Sequence, residues 1–413
     1  MSGDKVIIGF GDTGAARGGV VAHAIADGKF LWRWDTDGGG GTIWDAIATD
    51  PESGRIYLGT GNERGDVPNK TACSVIALSG AGQFLWQYDE SAGDRRTCES
   101  STDLTLATIT HNGQPRRVIL HAPRDGSFHV IDRESGVGLS KKSLGEGAHN
   151  HFAQSFSPAT GMVYLPTTVL PAALDADTPA DAGKSFLLAW DPARQRANWA
   201  IPTPGPYSGG VLSTAGDLVF QGQMDGYFVA YAAATGSKAW AFYAATPPLA
   251  APISFGVGNK QYIAVLAGPP HGMPANLGAM SARFGWDSRV HPRRLLVFTL
   301  DGKGELPATP SPKVAQPVDV PEFTIDPALA QEGARVYAQC QWCHGAGAIA
   351  GGAAPDLRAS AIPMNPANFA ALVRGGVEAR GMPRYPEIGD RDLEALRHYF
   401  RARARAAGGA PSP

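Results

Sequence analysis

A short pattern recurs four times along the chain: an apolar strand, a turn containing Gly or Pro, then a Trp closely following a Lys or Gln. It closes on Trp32, Trp86, Trp199 and Trp240, in residues 26–32, 80–86, 191–199 and 234–240. Repeats of about forty to fifty residues with several strands each are the mark of a β-propeller, because one such unit cannot bury its own apolar faces and must stack on the next. Each Trp is expected to close its blade against the following one. Composition supports this reading. The 413 residues contain 52 Gly and 32 Pro without a Gly-X-Y period. That excess supplies many turns between short strands.

Charge and hydropathy exclude other classes. Lys and Arg number 36 against 38 Asp and Glu, a net charge of −2 that gives no electrostatic case for nucleic acid or an anionic membrane surface. No apolar run approaches the roughly twenty residues of a membrane helix, so an integral membrane protein is not expected. Residues 1–9 enter a strand-like segment at once and lack the basic and apolar regions of a secretory signal.

The 4 Cys are too few for a disulfide framework. Cys340 and Cys343 stand in Cys340-Gln341-Trp342-Cys343-His344, the spacing in which two thiols add to the vinyl groups of one haem and the adjacent His ligates the iron. A redox dithiol or half a zinc site would need a thioredoxin-like context or a second Cys pair. Residues 327–339 and 390–406 read as helices on either side of the motif, with Asp326 as an N-cap for the first. Between them Met382 offers a thioether for the second axial position, ahead of Met364, and the Pro355 carbonyl is placed to orient His344. Residues 304–322 are Pro-rich and read as a semi-rigid linker between a propeller at 1–303 and an all-α cytochrome c domain at 323–413.

Residues 38–45, 57–62, 119–126 and 218–222, taken in order, resemble the pyrroloquinoline-quinone (PQQ) dependent alcohol dehydrogenases. With a haem domain behind the propeller, the chain looks most like the soluble quinohaemoprotein members. That resemblance implies an all-β propeller of eight blades around PQQ and Ca²⁺, oxidation of an alcohol, and electrons passed to haem c. It implies a downstream acceptor such as a cytochrome or copper protein, and a periplasmic location. Carried over by position, Trp44 is the indole on which PQQ stacks and Thr42 its hydrogen-bonding neighbour. Arg124 is the cation beside the quinone oxygens, and Asn150 is a further PQQ contact. Asn62 and Asp12 are the Ca²⁺ ligands.

The sequence also departs from the family. Thr97 stands where the family has the Asp that acts as general base, so Asp94 or Glu99 is expected to substitute. His151 stands where Trp is usual, and Tyr207-Ser208 where Trp-Asn is usual. The family's opening blades and adjacent-cysteine disulfide have no counterpart, leaving about five or six blades and exposed strand edges. The expectation is a split or partial propeller, its missing blades supplied by another chain or a longer product. The alternative function is an electron-transfer cytochrome carrying a degenerate, non-catalytic propeller.

Overall fold

The computed structural model describes every residue except 1–2, 12–15, 45–46, 92, 97, 99, 172–173, 176 and 409–413. Its strands form six antiparallel sheets in chain order, the six blades. The first holds Lys5–Phe10, Gly19–Ala24 and Phe30–Asp35, and the second Ile47–Thr49, Ile56–Gly59, Ser74–Leu78 and Phe84–Asp89. The third holds Leu104–His111, Gln114–His121, Ser127–Asp132 and Gly138–Ser143. In the fourth, the two short strands Ala148–Asn150 and Ser155–Ser157 both pair with Met162–Val169, followed by Lys184–Asp191 and Arg196–Thr203. The fifth runs from Ser208–Ser213 through Leu218–Gln223 and Tyr227–Ala232 to Lys238–Tyr243, and the sixth is Ile253–Val257, Lys260–Ala267 and Arg294–Phe298.

The repeated Trp residues join neighbouring blades. Trp32 donates from Nε1 to Gly80 O at 3.2 Å, and Trp199 to Ala233 O at 3.1 Å. The turn glycine of the next blade lies flat against each ring. A Cβ at Gly82 would come within 2.6 Å of Trp32, and one at Gly136 within 2.6 Å of Trp86, so no larger residue fits there. Trp240 instead meets the sixth blade edge-on through Phe298, ring centroids 5.4 Å apart.

Between blades lie dry apolar clusters. Ile56, Leu58, Ile76 and Leu78 pack with Val20 between the first two blades. Val118, Leu120, Phe128 and Val130 pack with Val163, Leu165 and Trp190 between the third and fourth. Each such side chain contributes about 1.5–3 kcal/mol by leaving water. The outer faces of the end blades are different: Ile8 is 49% exposed on the first, and Leu266 and Leu295 are 60% and 65% exposed on the sixth.

The C-terminal unit is helical. Asp326 caps the helix Pro327–Tyr337 by accepting from Ala328 N and Leu329 N. This helix crosses Asp390–Gly408 so closely that a Cβ on Gly333 would meet Ala395 O at 2.1 Å. Tyr337 packs on Tyr399 and Phe400 at the crossing. Residues 304–320 carry no helix or strand, yet they are docked on both units. Lys313 N donates to Gly285 O at 3.0 Å, and Arg401 donates from Nη1 to Val318 O at 2.8 Å. The two units also touch directly where Ser288 donates to Gly352 O and Ala353 O.

Candidate functional site

Two sites take shape, one within the helical unit and one across the blades. In the first, Cys340 and Cys343 are free thiols flanking the short helix Gln341–His344. Burial raises both thiols, Cys340 to about 11. His344 Nδ1 is hydrogen-bonded to Pro355 O at 2.8 Å, the contact expected from sequence, which fixes the ring and leaves Nε2 as the ligating nitrogen. Burial lowers the His344 pKa, so the imidazole stays neutral with its lone pair available. Met382 and Cys340 border the same apolar cluster of Tyr337, Ala348, Phe369 and Phe400. Met382 is held there by the 3₁₀ turn Glu378–Arg380, left-handed Gly381 and a bridge to Val377. Met364 ends a different turn, where its carbonyl accepts from Arg397. Two thiols, an oriented imidazole and a thioether on one apolar cluster fit a covalently held haem c.

The second site follows from the meander. The first strands of successive blades lie side by side, Ile47–Thr49 by Leu104–His111 and Ser155–Ser157 by Ser208–Ser213. Residues entering those strands therefore gather at one end of the propeller's central axis. Trp44 enters the second blade after Gly40 and Gly41, and its N–H donates to Ser101 Oγ at 3.2 Å at the entry to the third. His149 and Asn150 form the start of the fourth blade, with His151 next, and Tyr207 precedes the fifth. Arg124 comes from the turn between Gln114–His121 and Ser127–Asp132.

Their rings form one cluster. Trp44 and His151 have centroids 5.6 Å apart, His151 and His149 stack at 6.2 Å, and Tyr207 meets both histidines edge-on. Among the described residues, three polar atoms of these rings are buried without a hydrogen-bond partner, His149 Nε2, His151 Nδ1 and Tyr207 OH, and so is Nδ2 of Asn150, which lies between the two histidines in sequence. Asn150 is oriented through its Oδ1, which accepts from Thr167 Oγ1 at 2.9 Å. Burial, then Arg124, holds both histidines down at about 4, with His151 adding to the effect on His149. Burial raises the Tyr207 phenol, keeping it a neutral donor. Buried polar groups are normally paired. Unpaired donors beside a half-exposed indole and a cation fit a flat, oxygen-rich anionic cofactor such as PQQ.

Other expected residues are placed differently. Asp94 is exposed, and its Oδ1 accepts from Arg96 N at 2.9 Å, closing a local turn. Thr97, Glu99 and Asp12 lie outside the described residues. Asn62 donates from Nδ2 to Arg96 O at 2.9 Å. Among the described residues no group of three or more His, Cys, Asp or Glu is placed to hold a metal, so they do not by themselves fit the expected Ca²⁺ site. Thr42 accompanies Trp44 through its carbonyl, which accepts from Gly61 N at 2.8 Å.

Sequence reading missed two features of the propeller. Cys73 and Cys98 form a disulfide across 25 residues, tying the loop that follows the second blade to the strand Ser74–Leu78. Beneath that loop Glu90 is buried, with Oε1 hydrogen-bonded to His121 Nδ1 at 2.8 Å. Burial disfavours the Glu90 carboxylate, but His121 and His129 outweigh it and hold the group ionised.

Comparison with known proteins supports a PQQ-type propeller followed by a cytochrome c domain. Residues 4–141 and 188–263 match the glucose/ethanol/alcohol dehydrogenase β-propeller domain, and residues 328–400 match subunit III of cbb3-type cytochrome c oxidase. The quinohaemoprotein alcohol dehydrogenase ADH IIB of Pseudomonas putida is 32% identical over 97% of this chain and 71% of its own length. The solved structure of ADHIIG from Pseudomonas putida HK5 superposes with a TM-score of 0.88 at 28% identity, covering all of this chain and 75% of that one. That of the Comamonas testosteroni enzyme superposes at 0.82 with 29% identity, covering 99% of this chain and 74% of its own.

Proposed function

The chain belongs to the quinohaemoprotein alcohol dehydrogenases, and from that premise we propose that it oxidises an alcohol at the Trp44 ring cluster and passes the electrons to haem c on Cys340 and Cys343. The observation that carries this is the half-exposed Trp44 indole with the unpaired, buried His149 Nε2 and Tyr207 OH in its ring cluster. PQQ, when bound, supplies the two-electron acceptor. Trp44 offers the stacking face, while Asn150, Tyr207 and Arg124 offer donors and positive charge to its oxygens. On the haem side, His344 and Met382 would hold the iron, and a His/Met pair would raise the potential relative to two histidines and so favour receipt of electrons.

Docking of the linker on both units keeps the haem unit fixed against the propeller, as transfer between two resident cofactors requires. Covalent haem attachment and the family together support a periplasmic location, with a soluble cytochrome or copper protein as acceptor. Among the described residues no helix is long and apolar enough to cross a membrane. Ca²⁺ enters this proposal through the family alone, since the described residues do not by themselves supply its site.

The test uses protein matured with haem and supplied with PQQ and Ca²⁺. A primary alcohol is expected to reduce the haem, seen in its visible absorption, only when all additions are present. Trp44→Ala is expected to weaken PQQ binding by about tenfold, the worth of one stacked aromatic contact. Haem that dithionite reduces and alcohol does not would leave an electron-transfer cytochrome on a non-catalytic propeller.

A further inference from the structure

Removing hydrogen from an alcohol breaks an O–H as well as a C–H bond, and a neutral hydroxyl does not release its proton without a base. Among the described residues, three carboxylates on neighbouring loops are already engaged. Asp94 accepts from Arg96 N, Glu90 is bonded to His121, and Asp125 accepts from Ser127 through both N and Oγ. In the ring cluster, one side chain both touches the indole and carries an unpaired nitrogen that can accept a proton. His151 lies 5.6 Å from Trp44, centroid to centroid, with Nδ1 buried and unpaired.

We propose that His151 is the catalytic base, its Nδ1 taking the hydroxyl proton of the alcohol. This rests on the function proposed above. The carbinol C–H pair leaves as hydride to the bound quinone, the O–H bonding pair becomes the second bond of the new carbonyl, and the proton goes to Nδ1. The alcohol loses two electrons, the quinone gains them, and the imidazolium returns its proton to solvent.

The groups facing His151 are Trp44, His149, Phe152, Tyr207 and the charge of Arg124. They suit the role. Burial and Arg124 hold the ring at about 4, so it is unprotonated at neutral pH. That is also close to the roughly 3.9 of an ordinary aspartate, so the imidazole has the proton affinity of a carboxylate base.

The experiment compares wild type with His151→Ala in holoprotein carrying haem and PQQ. Quinone affinity is read from quenching of Trp fluorescence, and turnover from haem reduction by a primary alcohol. The substitution is expected to leave quinone affinity within about threefold, to slow haem reduction on the order of 10²-fold or more, and to be partly rescued by added imidazole. Independently of turnover, the His151 ring resonance is expected to titrate near pH 4 in the quinone-free protein.

Unchanged haem reduction in His151→Ala overturns the assignment. So does a loss of quinone affinity equal to the loss of rate without imidazole rescue, which would make His151 a cofactor contact. Titration of the His151 resonance at the unperturbed value near 6.5 overturns it as well. Wild type that binds PQQ but never reduces haem with alcohol fails at the earlier step, and refutes the proposed dehydrogenase activity itself.

Discussion

The haem site and the quinone cavity are built in opposite ways. Cys340, Cys343 and His344 fall within five consecutive residues, and a short helix with one carbonyl contact sets their geometry. Trp44, Arg124, His149, His151 and Tyr207 come from four blades, and only the stacking of those blades brings them together. A contiguous motif survives changes elsewhere, whereas a cavity assembled across blades inherits the precision of every interface between them. Damage to the inter-blade cores is therefore expected to reach the cavity long before it reaches the haem.

The largest effect tests the local half of this contrast. Replacing both Cys340 and Cys343 by Ala is expected to abolish covalent haem entirely, read as loss of haem staining on a denaturing gel. The propeller's quinone affinity should survive, because no blade depends on those thiols. Met382→Ala, by contrast, should retain covalent haem and lower its potential by on the order of a hundred millivolts, since axial ligation is a main determinant of potential. Met364→Ala should leave the potential in place. Equal effects from the two methionines would refute Met382 as ligand.

This division also marks what was legible in the sequence. The attachment motif, the Asp326 cap, the flanking helices and the Pro355 contact depend on neighbours close in the chain, and each was readable there. The Trp repeats disclosed the blades because each copy performs the same local task against the next turn glycine. The base assignment was not readable. Asp94 was expected from nearness to Thr97, but its carboxylate is spent on its own turn at Arg96 N. His151 was noted only as a departure from Trp. Its unpaired nitrogen becomes visible when the fourth and fifth blades bring His149 and Tyr207 beside it.

The disulfide was hidden for the same reason. Cys73 begins a buried strand and Cys98 sits in a partly exposed loop, with nothing local to pair them across 25 residues. Closing a loop of that length restricts the unfolded chain by about 3 kcal/mol. Cys98→Ser is expected to lower propeller stability by roughly 2–4 kcal/mol, read as the denaturant midpoint followed by Trp fluorescence. Haem absorbance should report little change in the helical unit. A coincident loss by both probes would mean that the two units unfold together and the contrast drawn here does not extend to stability.

The smallest effect is set by pH. His149 and His151 are held at about 4 in the folded protein against 6.5 for a free side chain. Between those values the unfolded chain binds protons that the folded chain refuses, so stability falls as pH drops through the window and levels off below it. The carboxylates Asp50 and Asp287, which burial would raise, are held low by hydrogen bonds and neighbouring cations, so their stabilisation is lost only at more acid pH. Denaturant midpoints for the propeller should thus decline from about pH 6.5 to 4.5, and the decline should be flattened in a His149→Gln, His151→Phe double variant. If the slope persists in the double variant, the protons enter elsewhere, and these histidines are not the buried neutral groups that shape the cavity.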